Sequence, residues 1–282
     1  MLIKNKTFEG ERSLFSSSDL IIEECIFQNG ESPLKESENL DITNTTFKWK
    51  YPLWYCNSVK VKNSFLDVTA RSGIWYTSNI IINDSIIDAP KTFRRSEEII
   101  LNNVKINNAL ETMWNCSKII LNDVYVRGDY FGFGSADIEC SNLTIEGNYC
   151  FDGGKNIVIK NSKLISKDAF WNCENVVVMD SIIVGEYLGW NSKNVVFINC
   201  EIESSQGLCY MEDVKLINCT LKNTDLAFEY SSVEATIKGT VDSIKNPTSG
   251  TIEVEEVKEI ILDEKHIDLN KVNIIVGGNK NE

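Results

Sequence analysis

Residues 175–183 read NVVVMDSII, and nineteen positions further on residues 194–202 read NVVFINCEI. Eleven blocks of this kind can be aligned between residues 19 and 221, and the last six begin nineteen residues apart. Aliphatic residues recur at the second and fourth positions of a block, and an aliphatic or aromatic residue recurs at the ninth. This interrupted alternation predicts two short strands that meet at a corner. The repetition itself predicts a solenoid.

The sixth position of the block is Asn or Asp in every block from the second onward. Asn and Asp tolerate a left-handed backbone, and their side chains can hydrogen-bond to stacked neighbours. We therefore expect a corner at this position and an Asn/Asp ladder along the stack. The ten residues are Asn44, Asn63, Asp84, Asn103, Asp123, Asn142, Asn161, Asp180, Asn199 and Asn218.

A third segment, such as YPLWYC (51–56) or ETMWNC (111–116), separates consecutive blocks and is too short for a helix. The backbone groups of three short strands per repeat must therefore bond to the coils above and below. This pattern predicts an all-β, single-stranded parallel β-helix of about twelve coils, each of 19–21 residues. Pentapeptide repeats do not fit, because nineteen is not a multiple of five. Leucine-rich repeats do not fit either, because residues such as Cys56 and Ser96 replace the leading leucine.

The Asn/Asp column resembles the asparagine ladder of right-handed β-helix proteins of the pectate-lyase type. Five segments, which span most of the chain, also resemble a bacterial family known only as a domain of unknown function. The resemblance implies a right-handed parallel β-helix and no established activity. It also implies that the segment carrying the tryptophans lies in the first sheet, the face on which pectate-lyase-like enzymes carry their substrate groove. The segments are FEGERSLF (8–15), KYPLWYC (50–56), APKTFRRS (89–96), DAFWNCENV (168–176) and EYLGWNSKN (186–194).

An open solenoid exposes apolar coil faces and strand edges, so its ends need to be covered. Residues 1–18 are interpreted as an incomplete N-terminal coil or cap, and residues 19–241 as the β-helix itself. The period is lost after residue 241, and acidic residues are mixed with strand alternation. Residues 242–282 are therefore interpreted as a C-terminal capping segment. Together these parts predict one domain.

Composition restricts the partners and the compartment. The 282 residues are 43% hydrophobic, but no run is long enough to span a membrane and the first fifteen residues lack the apolar core of a secretion signal. The nine cysteines include no CxxC pair, which favours reduced, buried thiols and a cytoplasmic location. A net charge of −13 argues against nucleic acid as a partner. Homo-oligomerisation is left open.

A column of aromatic and basic side chains recurs once per coil and is expected to point outward. Flat rings about 5 Å apart can stack on sugar rings, and a continuous exposed apolar strip is uncommon on a monomer without a use. The alternative is that corner loops or the C-terminal tail cover the tryptophans, which then serve packing alone. The candidate ligand-binding residues are Trp54, Trp75, Arg94, Arg95, Trp114, Phe133, Trp171 and Trp190.

Three carboxylates of the later coils are the candidate catalytic residues: Asp152, Asp168 and Glu186. Carboxylates crowded beside aromatic surface can have raised pKa values and act as acid and base, as in glycosidases. The alternative is ordinary solvation of turn residues. The only histidine, His266, lies in the expected cap, so histidine-dependent triads and multi-histidine metal sites are excluded. We expect no metal and no cofactor.

Two functions from different classes fit this pattern. The first is a carbohydrate-directed protein that binds an oligosaccharide or polysaccharide, or cleaves it with carboxylates, through the aromatic first-sheet face. The second is a non-catalytic β-helix scaffold whose aromatic strip is a protein interface. The sequence leaves open whether the protein is an enzyme.

Overall fold

The structure is a computed structural model that describes residues 1–277, and the fold is an all-β, right-handed parallel β-helix, as expected. The chain forms two compact units, Met1–Gly147 and Asn148–Glu282. Both units are stacks of coils whose strands pair in parallel with the next coil. Parallel strands joined by such connections are right-handed in nearly all proteins. The single-domain interpretation stays a prediction.

The first unit contains two columns of stacked strands, one long and one short, on either side of the Asn/Asp corner. A third, two-stranded sheet is formed by Ile74–Trp75 and Phe93–Arg94. The longer strands are Leu2–Lys4, Ser18–Glu23, Glu38–Thr43, Asn57–Lys62, Ser78–Asn83, Glu97–Asn102, Ser117–Asn122 and Ala136–Ser141. The shorter strands are Thr7–Glu9, Ile26–Gln28, Thr46–Phe47, Phe65–Leu66, Ile86–Ile87, Lys105–Ile106, Tyr125–Arg127 and Thr144–Glu146.

The second unit begins with the same alternation and then changes, because the two strands of a coil run together into one long strand, as in Glu212–Lys222, where Asn218 still has a left-handed φ of 57°. A short 3-10 helix, Leu269–Lys271, precedes its final strand. The longer strands are Lys155–Lys160, Glu174–Met179, Lys193–Ile198, Glu212–Lys222, Ser232–Lys245, Ser249–Ile261 and Val272–Val276. The shorter strands are Lys163–Ile165, Ile182–Glu186 and Glu201–Ser205.

The chain makes about fourteen turns, so the prediction of about twelve coils is slightly low. The difference arises in part from the segment interpreted as a C-terminal cap. Ser249–Ile261 pairs in parallel with Ser232–Lys245, and Val272–Val276 pairs in parallel with Ser249–Ile261. These strands continue the stack although the nineteen-residue period has ended. The capping role of residues 242–277 stays a prediction, and residues 278–282 lie outside the described residues.

The core is built from inward side chains that stack on their equivalents in the next coil. Ile80 is in register with Ile99, and Ile82 is in register with Leu101, and all four side chains are buried. Burial of apolar side chains is the main source of stabilising free energy. In a solenoid this burial arises between adjacent coils, because each coil contacts only its neighbours.

The Asn/Asp corner has the left-handed backbone that the sequence predicts. All ten residues have positive φ angles, between 49° and 57°. Their side chains are exposed, however, and their ladder runs along the surface. Asn103 donates to Asp84 at 2.8 Å, and Asn142 donates to Asp123 at 2.9 Å. The corner therefore explains the Asn/Asp preference through φ rather than through buried amides.

A second ladder, which is buried, is formed by the next residue along the chain. The main-chain N–H of Thr45 donates to Ser64 Oγ at 3.1 Å, and that of Ser64 donates to Ser85 Oγ at 3.0 Å. The Ser85 hydroxyl in turn donates to the Asn83 carbonyl at 2.7 Å. These hydroxyls pair with main-chain groups at a corner where no ladder bond is available. In the coils that have Thr or Ser at the seventh block position, that side chain thus has a hydrogen-bonding role.

Within residues 1–277, no helix has the length and the apolar character needed to cross a membrane.

Candidate functional site

The tryptophan column of the first unit is a continuous stack of side chains. The rings of Trp54 and Trp75 lie 5.2 Å apart with an interplanar angle of 8°. The Arg94 guanidinium lies 4.7 Å from the ring centroid of Trp75 and 4.7 Å from that of Trp114. Phe133 extends the stack, with its ring 5.0 Å from that of Trp114. Along this stretch each ring therefore packs against a neighbouring ring or against the Arg94 guanidinium.

The polar edges of these indoles are also used inside the protein. Trp75 Nε1 donates to the Lys91 carbonyl at 2.8 Å, and Trp114 Nε1 donates to the Tyr130 carbonyl at 2.7 Å. Trp54 Nε1 likewise donates to the main-chain carbonyl of Ser72 in the next coil. All three side chains are half-buried. This geometry favours the packing interpretation for the column, and its role in ligand binding stays a prediction.

Arg94 serves the same stack. Its Nη2 lies 3.6 Å from Glu111 Oε2, which Lys91 approaches at 2.9 Å, and its buried Nε has no hydrogen-bond partner among the described residues. The guanidinium plane between two indoles gains cation–π stabilisation, worth about 0.5–2 kcal/mol per contact. Arg94 is thus a packed member of the tryptophan column, between Trp75 and Trp114.

A second row, one residue further along the chain, is exposed. The rings of Tyr55 and Tyr76 lie 4.7 Å apart with an interplanar angle of 7°, and the side chains are 48% and 36% exposed. Lys35 Nζ lies 5.4 Å from the Tyr55 ring, and the Arg95 guanidinium lies 6.0 Å from the Tyr76 ring. We call Tyr55, Tyr76 and Arg95 the tyrosine row. Arg95 is the only member of this row among the residues predicted from the sequence. Tyr55 and Tyr76 directly follow the column members Trp54 and Trp75, a spacing that could have pointed to them.

In the second unit the aromatic residues are less regular. Trp190 Nε1 donates to the Gln206 carbonyl at 2.6 Å, and its ring meets Tyr187 edge-on, with the centroids 5.2 Å apart. Trp171 Nε1 is buried and has no hydrogen-bond partner among the described residues. The ring of Trp171 lies 6.4 Å from that of Tyr149. Trp171 is therefore the tryptophan of the candidate set whose donor is unused.

The three candidate carboxylates come together in the second unit. Asp168 is 7% exposed, at a left-handed corner with a φ of 53°, and its N–H donates to the Glu186 carbonyl at 2.8 Å. The Tyr149 side chain hydrogen-bonds to the Asp168 carboxylate. Asp152 is half-buried and accepts a hydrogen bond from Asn172 Nδ2 at 3.2 Å. We call Tyr149, Asp152, Asp168 and Trp171 the carboxylate site.

Burial changes the acidity of both aspartates. It raises the pKa of Asp152, and the Asn172 hydrogen bond opposes the rise. Burial also raises the pKa of Asp168; Lys167 and the Tyr149 hydrogen bond oppose this, while the charges of Glu186 and Asp152 add to it. Each carboxyl therefore keeps its proton to a higher pH than an exposed aspartate does.

Glu186 differs from the two aspartates in its environment. It is exposed and forms a salt bridge with Lys167 Nζ at 3.3 Å. Lys167 Nζ also lies 5.1 Å from the Tyr187 ring. This pairing leaves Glu186 at the rim of the carboxylate site, close enough to influence the pKa of Asp168.

The cysteines and the single histidine are the other side chains whose chemistry the sequence raises. Within residues 1–277, no group of three or more His, Cys, Asp or Glu side chains offers a metal-binding arrangement. All nine cysteines are buried and free, consistent with thiols that fill corners. His266 Nε2 lies 3.6 Å from Asp263 and its ring meets Tyr230 edge-on at 6.5 Å.

Solved structures similar to this chain are β-helix proteins of low identity. PfbA, a surface adhesin of Streptococcus pneumoniae, is 10% identical with a TM-score of 0.48, over 92% of this chain and 82% of that chain. The A-module of the mannuronan C-5 epimerase AlgE4 of Azotobacter vinelandii is 8% identical with a TM-score of 0.35, over 96% and 86%. These values are too low to transfer either activity.

A comparison with curated proteins finds no match to this chain. A protein-family model, in contrast, matches residues 1–275, which is nearly the whole sequence. The chain therefore belongs to DUF3737, a family described as proteins of unknown function.

Proposed function

We propose that this protein acts on a glycan at the carboxylate site, where Asp152 transfers a proton to the glycosidic oxygen. The observation that carries the proposal is the pairing of a half-buried Asp152 with a buried Asp168 beside Trp171, with the pKa values of both carboxyls raised. Burial raises the pKa of each carboxyl, and the charge of Asp152 adds to the rise at Asp168.

The chemistry divides between the two carboxyls. Glycoside hydrolysis needs one carboxyl to protonate the leaving oxygen while a second assists the attack of water on the anomeric carbon. Asp152 is the more open of the two and is assigned the contact with the glycan. Asp168, which Tyr149 holds, is assigned the second role: in its ionised form it accepts the proton of the attacking water, while the proton of Asp152 goes to the leaving oxygen.

The test combines a binding screen with a cleavage assay. Purified protein is applied to a glycan array, and every bound glycan is incubated with the protein and assayed for new reducing ends. Asp152→Asn should abolish cleavage and preserve binding, because it removes the proton and keeps the shape. Glu174→Gln is the matched control, since Glu174 is an exposed acid of the same unit paired with Lys155 at 3.0 Å.

Each outcome decides between named functions. Cleavage that persists in Asp152→Asn removes that carboxyl from the mechanism. Binding without cleavage in the unaltered protein makes it a glycan-binding protein. The absence of any bound glycan favours the second candidate, a protein scaffold, for which the self-stacked faces of the tryptophan column are the supporting observation.

A further inference from the structure

We propose that the tyrosine row of the first unit binds an anionic sugar, with the guanidinium of Arg95 on the acidic group and the tyrosines beside the sugar ring. The tyrosine row shares no residue with the carboxylate site, and the proposal does not depend on cleavage. The ligand class is a glycan that carries a carboxylate, sulfate or phosphate group.

The first supporting observation is the backbone of the two tyrosines. Tyr55 and Tyr76 have φ angles of 55° and 57°, in the left-handed region that costs an ordinary residue about 1–2 kcal/mol. Asn115, Asn172 and Asn191 occupy the equivalent position in other coils, where their short polar side chains suit the corner. Tyr at this corner therefore carries a backbone free-energy cost that Asn largely avoids. Stacking of the two rings offsets about 0.5–1.5 kcal/mol of that cost.

The second observation is the charge of Arg95. Its chain neighbour Arg94 and the nearby Lys91 both approach Glu111, whereas Arg95 forms no salt bridge within residues 1–277. Arg95 is exposed and its guanidinium lies over the Tyr76 ring. An unpaired guanidinium on a chain of net charge −13 is a local positive centre, and its planar fork fits two oxygens of an acidic group.

The third observation is the groove next to Arg95. Its volume is about 290 Å³, close to the lower end for ligand pockets and suited to one sugar unit rather than a large molecule. Tyr76, Arg95, Asn115, Ser78 and Ser117 line it, so amide and hydroxyl groups surround the cation. Glu97 also lines the groove, with a carboxylate oxygen 3.9 Å from Lys118 Nζ.

These features together distinguish an acidic sugar from other ligands. Hydroxyl and amide groups match sugar hydroxyls, and Arg95 supplies charge that a neutral sugar cannot use. The strongly negative chain disfavours a long phosphate backbone, which needs many cationic contacts. A short glycan with one acidic group per ring meets each requirement.

The experiment measures affinity by calorimetry at low salt with four probes of matched length. The probes are a galacturonate trisaccharide, its methyl ester, a sulfated trisaccharide and a phosphorylated trisaccharide. At least one acidic probe should bind, and the methyl ester should bind about tenfold more weakly or not at all. Which acidic probe binds best identifies the natural acidic group. Equal affinity for the acid and its ester would overturn the proposal.

Three variants test whether the tyrosine row is the binding surface. Arg95→Gln should weaken binding of the acidic probe about tenfold, because the charge that contacts the acidic group is lost. Tyr76→Ala should also weaken binding, because the ring beside the sugar is lost. Circular dichroism verifies that both variants fold. Tyr210→Ala is the matched control, because Tyr210 is 41% exposed at the same type of corner but lies near Glu229 rather than an arginine. Unchanged affinity in Arg95→Gln, or stronger binding to a single-stranded oligonucleotide than to every sugar, would refute the inference.

Discussion

The indole Nε1 of Trp114 donates a 2.7 Å hydrogen bond to the main-chain carbonyl of Tyr130, in the corner of the next coil. Trp75 and Lys91 have the same relationship at 2.8 Å. Each of these tryptophans therefore ties one coil to the next by its N–H, while its faces stack on the neighbouring column members. The tryptophan column therefore stabilises the stack of coils. The exposed side chains are those of the tyrosine row, one residue further along the chain.

Removing the Trp114 ring should destabilise the first unit. We expect Trp114→Ala to cost about 3 kcal/mol of unfolding free energy, because Arg94 and Phe133 lose their stacking partner. Trp114→Phe should cost about 1 kcal/mol, because the stack survives and only the bond to Tyr130 is lost. Chemical denaturation measures both values. An Ala variant as stable as the unaltered protein would show that the ring is not part of the packing.

The fold could be predicted from the sequence because the signals are local. The Asn or Asp at each sixth block position reports a left-handed φ, which few other residues adopt without cost. The direction of a side chain is less readable at a corner, where strand alternation stops. Thus the exposure of the Asn161 side chain and the burial of its successor Ser162 could not be distinguished from the repeat alone.

The buried hydroxyl ladder should contribute measurably to stability. Ser181 Oγ accepts from the Ser162 N–H at 3.0 Å and donates to the Met179 carbonyl at 2.6 Å. We expect Ser181→Ala to cost about 1–3 kcal/mol, because it leaves a buried main-chain donor unpaired. Lys160→Ala, an exposed change in the preceding coil, is the control and should be nearly neutral. Denaturation midpoints of the two variants should differ clearly; coincident midpoints would make the ladder dispensable.

The Asn/Asp corner makes a different prediction, because its side chains are exposed. Asn161 has a φ of 50°, so Asn161→Leu should cost about 1–2 kcal/mol through backbone strain. Asn161→Gly should cost far less, since glycine adopts this conformation freely. Thermal unfolding of the two variants separates strain from hydrogen bonding. If Gly and Leu destabilise equally, the amide itself is what matters at this corner.

The candidate site was harder to predict than the fold. Asp152, Asp168 and Glu186 could be grouped from the sequence because each is an acidic residue in or beside the tryptophan-bearing segment of a successive coil, although the three do not occupy equivalent positions. Tyr149 was missed, although it occupies the same corner as Asp168 one coil earlier, because a tyrosine at a turn carries no catalytic pattern. Asp168 is buried and Asp152 half-buried, a difference that the spacing of the residues in the sequence does not report.

The last prediction concerns Asp168 and pH. Burial raises its pKa in the folded protein above the ordinary value of about 3.9, so the folded state favours the protonated form. The stability that this carboxyl contributes is therefore complete below pH ~3.9 and is lost as the pH rises through the folded-state pKa. Asp168→Asn mimics the protonated carboxyl at every pH, and its amide oxygen can still accept from Tyr149.

We accordingly expect the melting temperature of Asp168→Asn to equal that of the unaltered protein at about pH 3 and to exceed it at pH 7. Differential scanning calorimetry between these pH values measures the difference. Glu174→Gln, which removes an exposed salt bridge to Lys155, should give no stabilisation at neutral pH. A lower melting temperature for Asp168→Asn at pH 7 would mean that the fold requires the ionised carboxylate. The raised pKa of Asp168 in the folded protein would then be wrong.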